Sequence, residues 1–500
     1  MLYDRTFHPD EANQAFTTGR LLETGCYAYQ PQDHHGPTLY YAAAALQKAA
    51  GHADTASLDG TLLRCTPLVF AALALVFGFA ALKRLTKRVV PGLVFALLLG
   101  TAPFFAFFAT DFIQEVLLTC FLLMMFWAGA GYLHPGKKWK TGTWALFFGT
   151  AAGLAFATKE TCLISFAAAA LAAAPFLATR VTKDLLRARV RDGVLVVLGF
   201  LIVSFILYSD FGRDFHGVYN AFVAAPLSYL GRAAGDAAAS TGANWHVHPW
   251  WQYLRWLGVR TPGLLVLFLL AGAAAWTLRR RTAESTFNAF RFAFLDALAT
   301  LALYSLIPYK TPWCAVQIEA PLALAATLGL VCAAEALPRV HALPLAVLPA
   351  LLLSVHVPAL VHMNRAPDDT ANPCNYAAAS PEVKELAATV SAAMASATNH
   401  EPRATNHALP FIAVALPAAD TWPFPWYNRP FERQTGYWQT FDGLKGLAEA
   451  DIKPTVVIVP MEEGHLVQPL FPHLKHTKRF YMRPRIPERN VRGVRVRVFW

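Results

Sequence analysis

What most constrains this chain is a series of apolar runs of about 16 to 22 residues, the length an α-helix needs to cross a hydrocarbon core. Ten such runs lie near 61–82, 89–108, 111–132, 142–158, 160–178, 193–210, 263–278, 292–308, 314–336 and 341–361. Several are joined by tight links and read as helical hairpins. Composition agrees with this reading. Of 500 residues, 55% are hydrophobic and 15% charged, and the mean hydropathy is +0.36. An ordinary soluble domain carries about 25% charged residues. The chain is therefore predicted to be an integral, multi-pass membrane protein.

The links sort alternately into two sets. KRLTKR (83–88), HPGKKWK (134–140), the stretches 180–191 and 279–291, and Arg339 together hold 17 lysines and arginines. The opposite set carries Asp111, Lys159, Lys310 and the loop 211–262 with Arg213, Arg232, Arg255 and Arg260, six basic residues in all. The positive-inside rule places the first set in the cytoplasm. Residues 1–60 and everything after 361 then lie outside, as in a bacterial inner (plasma) membrane protein with an extracytoplasmic site. The net charge of +11 resides in these links and in the final stretch, which points to a membrane surface and away from nucleic acid. The seven cysteines form no CxxC or zinc spacing. Cys65, Cys120, Cys162 and Cys332 read as apolar-like fillers, and Cys26 and Cys374 as the pair open to an outer disulfide. The opening MLYDRTFHPDEANQAF is polar and lacks the apolar core of a signal peptide.

Three domains follow: a first outer segment with interfacial helices (1–60), a transmembrane domain of about ten helices (61–361), and an outer α/β domain (364–500). The last is read from an amphipathic helix near 381–396 and the β-like runs PFIAVAL, PTVVIVPM and VRVRVF. Its end carries Lys475, Lys478, Arg479, Arg483, Arg485, Arg489, Arg492, Arg495 and Arg497 against the single acid Glu488. Such a stretch is either a solvated basic face or a contact for lipid phosphates.

Ionisable residues at membrane depth are costly and mark a site by default. Under this topology they fall on one side: His8, Asp10 and Glu11, then His34 and His35, Arg64, Asp111 and Glu115, Lys159 and Glu160, and Tyr309 with Lys310. Paired carboxylates can supply a general base and a partner that orients it. Cations at the same depth can hold a lipid-linked phosphate and stabilise its charge as it leaves. Plainer readings stand beside these. Asp10 and Glu11 fit an acidic pair capping a helix. Glu115 fits a carboxylate paired inside the bundle, and Arg64, Lys159 and Lys310 fit side chains snorkelling to the interface. His8, His34, His35, His246 and His248 read as solvated loop histidines; the alternative is that, with Asp10 or Glu11, they hold a divalent metal, the one cofactor the sequence admits. HPWWQYLRW (248–256) reads as an interfacial belt or a sugar-stacking platform.

HPDEANQAF, HHGPTLYY, TDFIQEVLL, ATKE and IPYKTPW, in that order, resemble the flippase-activity-associated membrane proteins. These are similar to glycosyltransferases of the protein O-mannosyltransferase type (family 39), with the GT-C architecture. SPEVKEL and TWPFPWY extend the likeness into the C-terminal domain. The resemblance implies a helical polytopic membrane domain with a small outer α/β domain. It places Asp10 as the first-loop catalytic acid beside Glu11, and Glu115 or Asp111 as the later acidic residue. Lys159 and Lys310 fall on lysine positions of the family, and Arg64 on an arginine position. Glu160, Tyr309 and His35 accompany them on the substrate side. The implied activity is inverting transfer of a sugar from a polyprenyl-phosphate donor to an acceptor hydroxyl of protein, lipid or glycan; the alternative is a transporter or flippase-associated protein for lipid-linked sugar. The resemblance also implies a transmembrane helix before the first outer segment, either encoded upstream of Met1 or lacking here.

Overall fold

A computed structural model describes residues 5–136, 139–176, 183–234, 246–337, 354–363, 369, 372–375, 378–400, 410–483 and 493–500. The chain forms two compact units that interleave along the sequence. One comprises Thr24–Ala50 and Thr61–Ala366, the other Met1–Glu23, Gly51–Gly60 and Pro367–Trp500. The unit limits thus cut through the expected first segment.

The larger unit is helical. Nine of the expected spans coincide with helices, and 341–361 falls mostly outside the described residues. Among the described residues, five helices are long and apolar enough to cross a membrane: Gly60–Thr86, Glu115–Leu133, Arg189–Tyr208, Glu284–Leu306 and Pro312–Ala336. A sixth span arises if Gln252–Arg260 and Pro262–Thr277, bent by 102°, are counted together. The others are shorter: Thr141–Phe156, Cys162–Ala173, and the 89–108 run, which breaks into Val90–Gly100 and Pro103–Phe108.

Two of these interruptions have one chemical cause. Pro103 and Pro262 each sit at the first turn of a helix, where a missing N–H costs nothing. Glu319, fully buried on the helix Ala315–Ala336, accepts from the backbone of Phe105 at 2.8 Å and Phe104 at 3.4 Å, and from Thr261 Oγ1 at 2.7 Å. One carboxylate therefore receives the donors exposed at both breaks. Elsewhere small residues set the helix spacing. A Cβ on Gly149 would lie 2.0 Å from the Val196 carbonyl oxygen, so Thr141–Phe156 and Lys183–Tyr208 touch backbone to backbone. The outer side of the second helix exposes Val194, Val197, Leu201 and Ile202, as a lipid-facing surface does.

In the smaller unit, the strands are β1 (Ile412–Ala415), β2 (Thr435–Trp438), β3 (Val456–Pro460), β4 (Thr477–Arg483) and β5 (Val494–Phe499). They form one sheet in the order β2-β1-β3-β5-β4, parallel from β2 to β3 and antiparallel onward. The period-two pattern of the strands explains the layers. Ile412, Val414, Val456 and Ile458 face the helix Glu382–His400 through Val383, Leu386 and Val390. Ala413, Ala415, Val457 and Val459 face Leu444 and Val467 on the other side. The helix Pro9–Thr24 joins this unit through the TWPFPWY segment. Phe7 stacks on Trp426 at 4.5 Å, its N–H donates to Tyr427 Oη at 2.8 Å, and Phe16 meets Trp422 edge-on.

Candidate functional site

Within the helical unit the site is assembled from segments far apart in sequence, and Gly36 makes the assembly possible. A Cβ at this position would lie 2.3 Å from the Ala157 carbonyl oxygen and 2.6 Å from its carbon, so only glycine lets HHGPT lie against the ATKE turn. Thr38 then donates its N–H to the Ala157 carbonyl at 3.2 Å, and its hydroxyl meets that of Thr158 at 2.8 Å.

This docking sets His35 Nδ1 2.9 Å from Glu160 Oε2, while Tyr29 donates its hydroxyl to the other carboxylate oxygen. The carboxylate only accepts, so Nδ1 carries the hydrogen. Tyr229 Oη lies 2.8 Å from the same nitrogen, and Tyr27 donates to the His35 carbonyl at 2.7 Å. Asn220, opening a π-helical turn, donates from Nδ2 to the Tyr29 carbonyl at 2.8 Å. Glu160 is buried, which alone would raise its pKa. The adjoining imidazole and the two hydrogen bonds outweigh that cost and hold the carboxyl at about 2.

Lys159, one residue earlier, pairs with Glu115 at the start of its helix. The two are 4% and 1% exposed. Burial disfavours the ammonium, but the carboxylate prevails and raises the lysine's pKa. Gln317 donates from Nε2 to the Glu115 carbonyl at 2.8 Å and reaches Thr119 Oγ1 at 3.3 Å. Of the two acids in TDFIQEV, Glu115 is therefore the one joined to Lys159. Asp111 is buried in the preceding turn, and Arg64 is fully buried in its helix.

Tyr309 and Lys310 form a short antiparallel bridge with the histidine-bearing segment 246–248. Lys310 donates its N–H to the His246 carbonyl at 2.8 Å, and His248 donates to the Pro308 carbonyl at 3.0 Å. The His246 and Tyr309 rings stack at 4.7 Å. Lys310 Nζ donates to the Ile307 carbonyl and, at 3.4 Å, to that of His248. Burial lowers the pKa of this ammonium. In the adjoining segment Trp250 and Trp251 are exposed.

In the smaller unit, His8, Asp10 and Glu11 build the start of the helix Pro9–Thr24. Glu11 Oε2 accepts the His8 N–H at 3.0 Å, and His8 Nδ1 accepts the Asp10 N–H at 3.1 Å. The two bonds cap the helix start reciprocally, with histidine in the N-cap position. Glu11 is buried, whereas the Asp10 carboxylate is 49% exposed and 3.8 Å from His8 Nδ1. Among the described residues no three metal-type side chains converge. His34 Nε2 lies 3.2 Å from the Ala28 carbonyl oxygen, and its Nδ1 lies 3.2 Å from Asp33. Cys26 and Cys374, read as open to an outer disulfide, form none.

Reading the sequence for charge missed Tyr29, Asn220, Tyr229 and Gln317, all neutral. It also passed over Glu319, whose only signal was a lone carboxylate inside an apolar run.

Residues 34–208 match the family model of dolichyl-phosphate-mannose-protein mannosyltransferases. HHGPTLYY, TDFIQEVLL and ATKE lie inside the match, and HPDEANQAF and IPYKTPW lie outside it. Among curated proteins no sequence matches the chain. The fold is similar to that of ArnT from Cupriavidus metallidurans bound to undecaprenyl phosphate. That likeness has a TM-score of 0.61 and 15% identity, over 100% of this chain and 95% of that one. It is also similar to the archaeal oligosaccharyltransferase AglB from Archaeoglobus fulgidus, in complex with an inhibitory peptide and a dolichol-phosphate. Here the TM-score is 0.55 and the identity 11%, over 91% of this chain and 66% of that one. The resemblance read from the motifs is borne out, and the architecture is GT-C: a polytopic helical domain with a small α/β domain.

Proposed function

We propose that the protein is an inverting, family-39-type membrane glycosyltransferase. It transfers a sugar from a polyprenyl-phosphate donor to an acceptor hydroxyl on the outer face of a bacterial inner membrane. The observation that carries this reading is the meeting of HHGPT, TDFIQEV and ATKE through Glu115–Lys159 and Glu160–His35, within the stretch matched to mannosyltransferases. The full-length likeness to a protein captured with undecaprenyl phosphate supports the donor class.

In this reading Asp10, half exposed, takes the proton of the acceptor hydroxyl. The acceptor oxygen bonds to the anomeric carbon as the bond from that carbon to the phosphate oxygen breaks, so the configuration inverts. The electron pair leaves with the polyprenyl phosphate, whose charge Lys310, Arg64 and His35 meet. Glu11 keeps Asp10 at the helix start. Glu115 and Asp111 hold the second acidic position, while Lys159, Glu160 and Tyr309 keep the phosphate side in place.

Liposomes containing the protein and a labelled polyprenyl-phosphate sugar should yield glycosylated product. Asp10→Asn should abolish the product while leaving membrane insertion unchanged. Full activity in that variant would remove Asp10 from its role, and lipid scrambling without product would favour a transporter.

A further inference from the structure

The β4–β5 hairpin carries a charge arrangement that the transfer reaction does not use. In its register Arg479 stands opposite Arg497, and Tyr481 opposite Arg495. Directly opposed residues share a face, and like charges so placed destabilise a sheet. The other face of the hairpin is occupied. Phe480, Val496 and Val498 enter the core under the helix Glu382–His400, and Lys478 pairs with Glu385 of that helix. On the arginine face, the cover over β1 and β3 gives way at Gly464, where Arg497 lies across the missing side chain. Arg479 and Arg495 are exposed, and Tyr481 is 46% exposed.

Among the described residues no acid pairs with these charges, and Arg497 Nε is buried without a hydrogen-bond partner. The nearby Glu382 accepts the backbone N–H of Tyr481 at 2.7 Å. Three guanidinium groups without an ion pair among the described residues, and a tyrosine, share one sheet face and form a surface for multiple phosphates, since guanidinium binds phosphate through paired donors and tyrosine suits a bilayer interface. The unit that bears them is joined covalently to the first membrane span at Gly60–Thr61.

We propose that the Arg479–Arg495–Arg497 face of the β4–β5 hairpin binds the headgroups of anionic phospholipids in the bilayer that holds the helical unit. Each arginine beside an anionic surface should favour it by roughly fivefold. The occupant is the lipid surface because the chain is always beside it, whereas a soluble anion must be recruited.

The full chain, with Tyr481→p-benzoylphenylalanine, is placed in nanodiscs of equal phosphatidylglycerol and phosphatidylcholine and irradiated, and its adducts are weighed. The expected result is lipid adducts enriched at least about fivefold in phosphatidylglycerol. R479Q/R495Q/R497Q should return the ratio to about one. Lys475→Gln, also on an exposed position near the hairpin, should leave it unchanged. Unchanged thermal unfolding of the triple variant shows that it folds; if it does not fold, the ratio is read in Arg479→Gln alone, where a partial fall is expected. Absence of lipid adducts, equal labelling of both lipids in the parent, or adducts to a second copy of the chain would overturn the proposal. The readout does not depend on transferase activity, so it stands or falls apart from the proposed reaction.

Discussion

The Glu115–Lys159 pair should dominate the stability of the helical unit's polar centre. Both groups are almost wholly removed from solvent, at 1% and 4% exposure. Removing one partner strands the other charge, and a buried pair broken this way costs about 3–5 kcal/mol. Replacing both with apolar residues of similar volume removes the attraction and the desolvation cost together. Lys159→Met should therefore lose about 3–5 kcal/mol, while Glu115→Leu/Lys159→Met should recover most of it. The Gln317 bond to the Glu115 carbonyl survives both changes, because it uses the backbone. Unfolding in mixed detergent–SDS micelles, followed by the fluorescence of the 13 tryptophans, measures each corner of the cycle. The single substitution costing under about 1 kcal/mol, or the double costing as much as the two singles summed, would refute the reasoning. Transfer activity should stay lost in the double variant even as stability returns, which separates the pair's structural weight from its place in the site.

Two further outcomes follow from the HHGPT–ATKE contact. Gly36→Ala would set a Cβ 2.3 Å from the Ala157 carbonyl oxygen and push the two segments apart, so it should cost on the order of 1–3 kcal/mol and lower transfer; unchanged stability and rate would show that the contact yields freely. Glu160, held at about 2 instead of 4.5, contributes stability that is fully present above pH 4.5 and lost as pH falls through about 2. That shift corresponds to about 3 kcal/mol. The gap in unfolding stability between the protein and Glu160→Gln should be widest above pH 4.5 and close toward pH 2; a gap constant across that range would rule out the linkage.

The C-terminal strands were legible because alternation is local: PFIAVAL, PTVVIVPM and VRVRVF each became a strand at the expected place. β2 and β4 were not, since TGYW is short and TKRFYMR mixes charge with apolar positions. Of the site, the charged positions could be listed from the chain, but their pairings could not. His35 reaches Glu160 across 125 residues and Lys159 reaches Glu115 across 44. The sequence treats Asp111 and Glu115 alike, and only the turn before the helix separates them. The neutral partners Tyr29, Asn220, Tyr229 and Gln317 carry no charge to betray them.

By itself, the sequence determined that the chain is a membrane protein, where its helices run and which motifs it shares with mannosyltransferases. Those properties depend on hydrophobic length and residue order along short stretches, and burial energy is additive over such stretches. Only the tertiary structure decided that TWPFPWY receives the first helix, that Glu319 serves two helix breaks, and which acid Lys159 chooses. An ion pair or hydrogen bond forms only where the packing of whole helices brings donor to acceptor within about 3 Å. That distance depends on the packing of every helix around it and is written in no single segment.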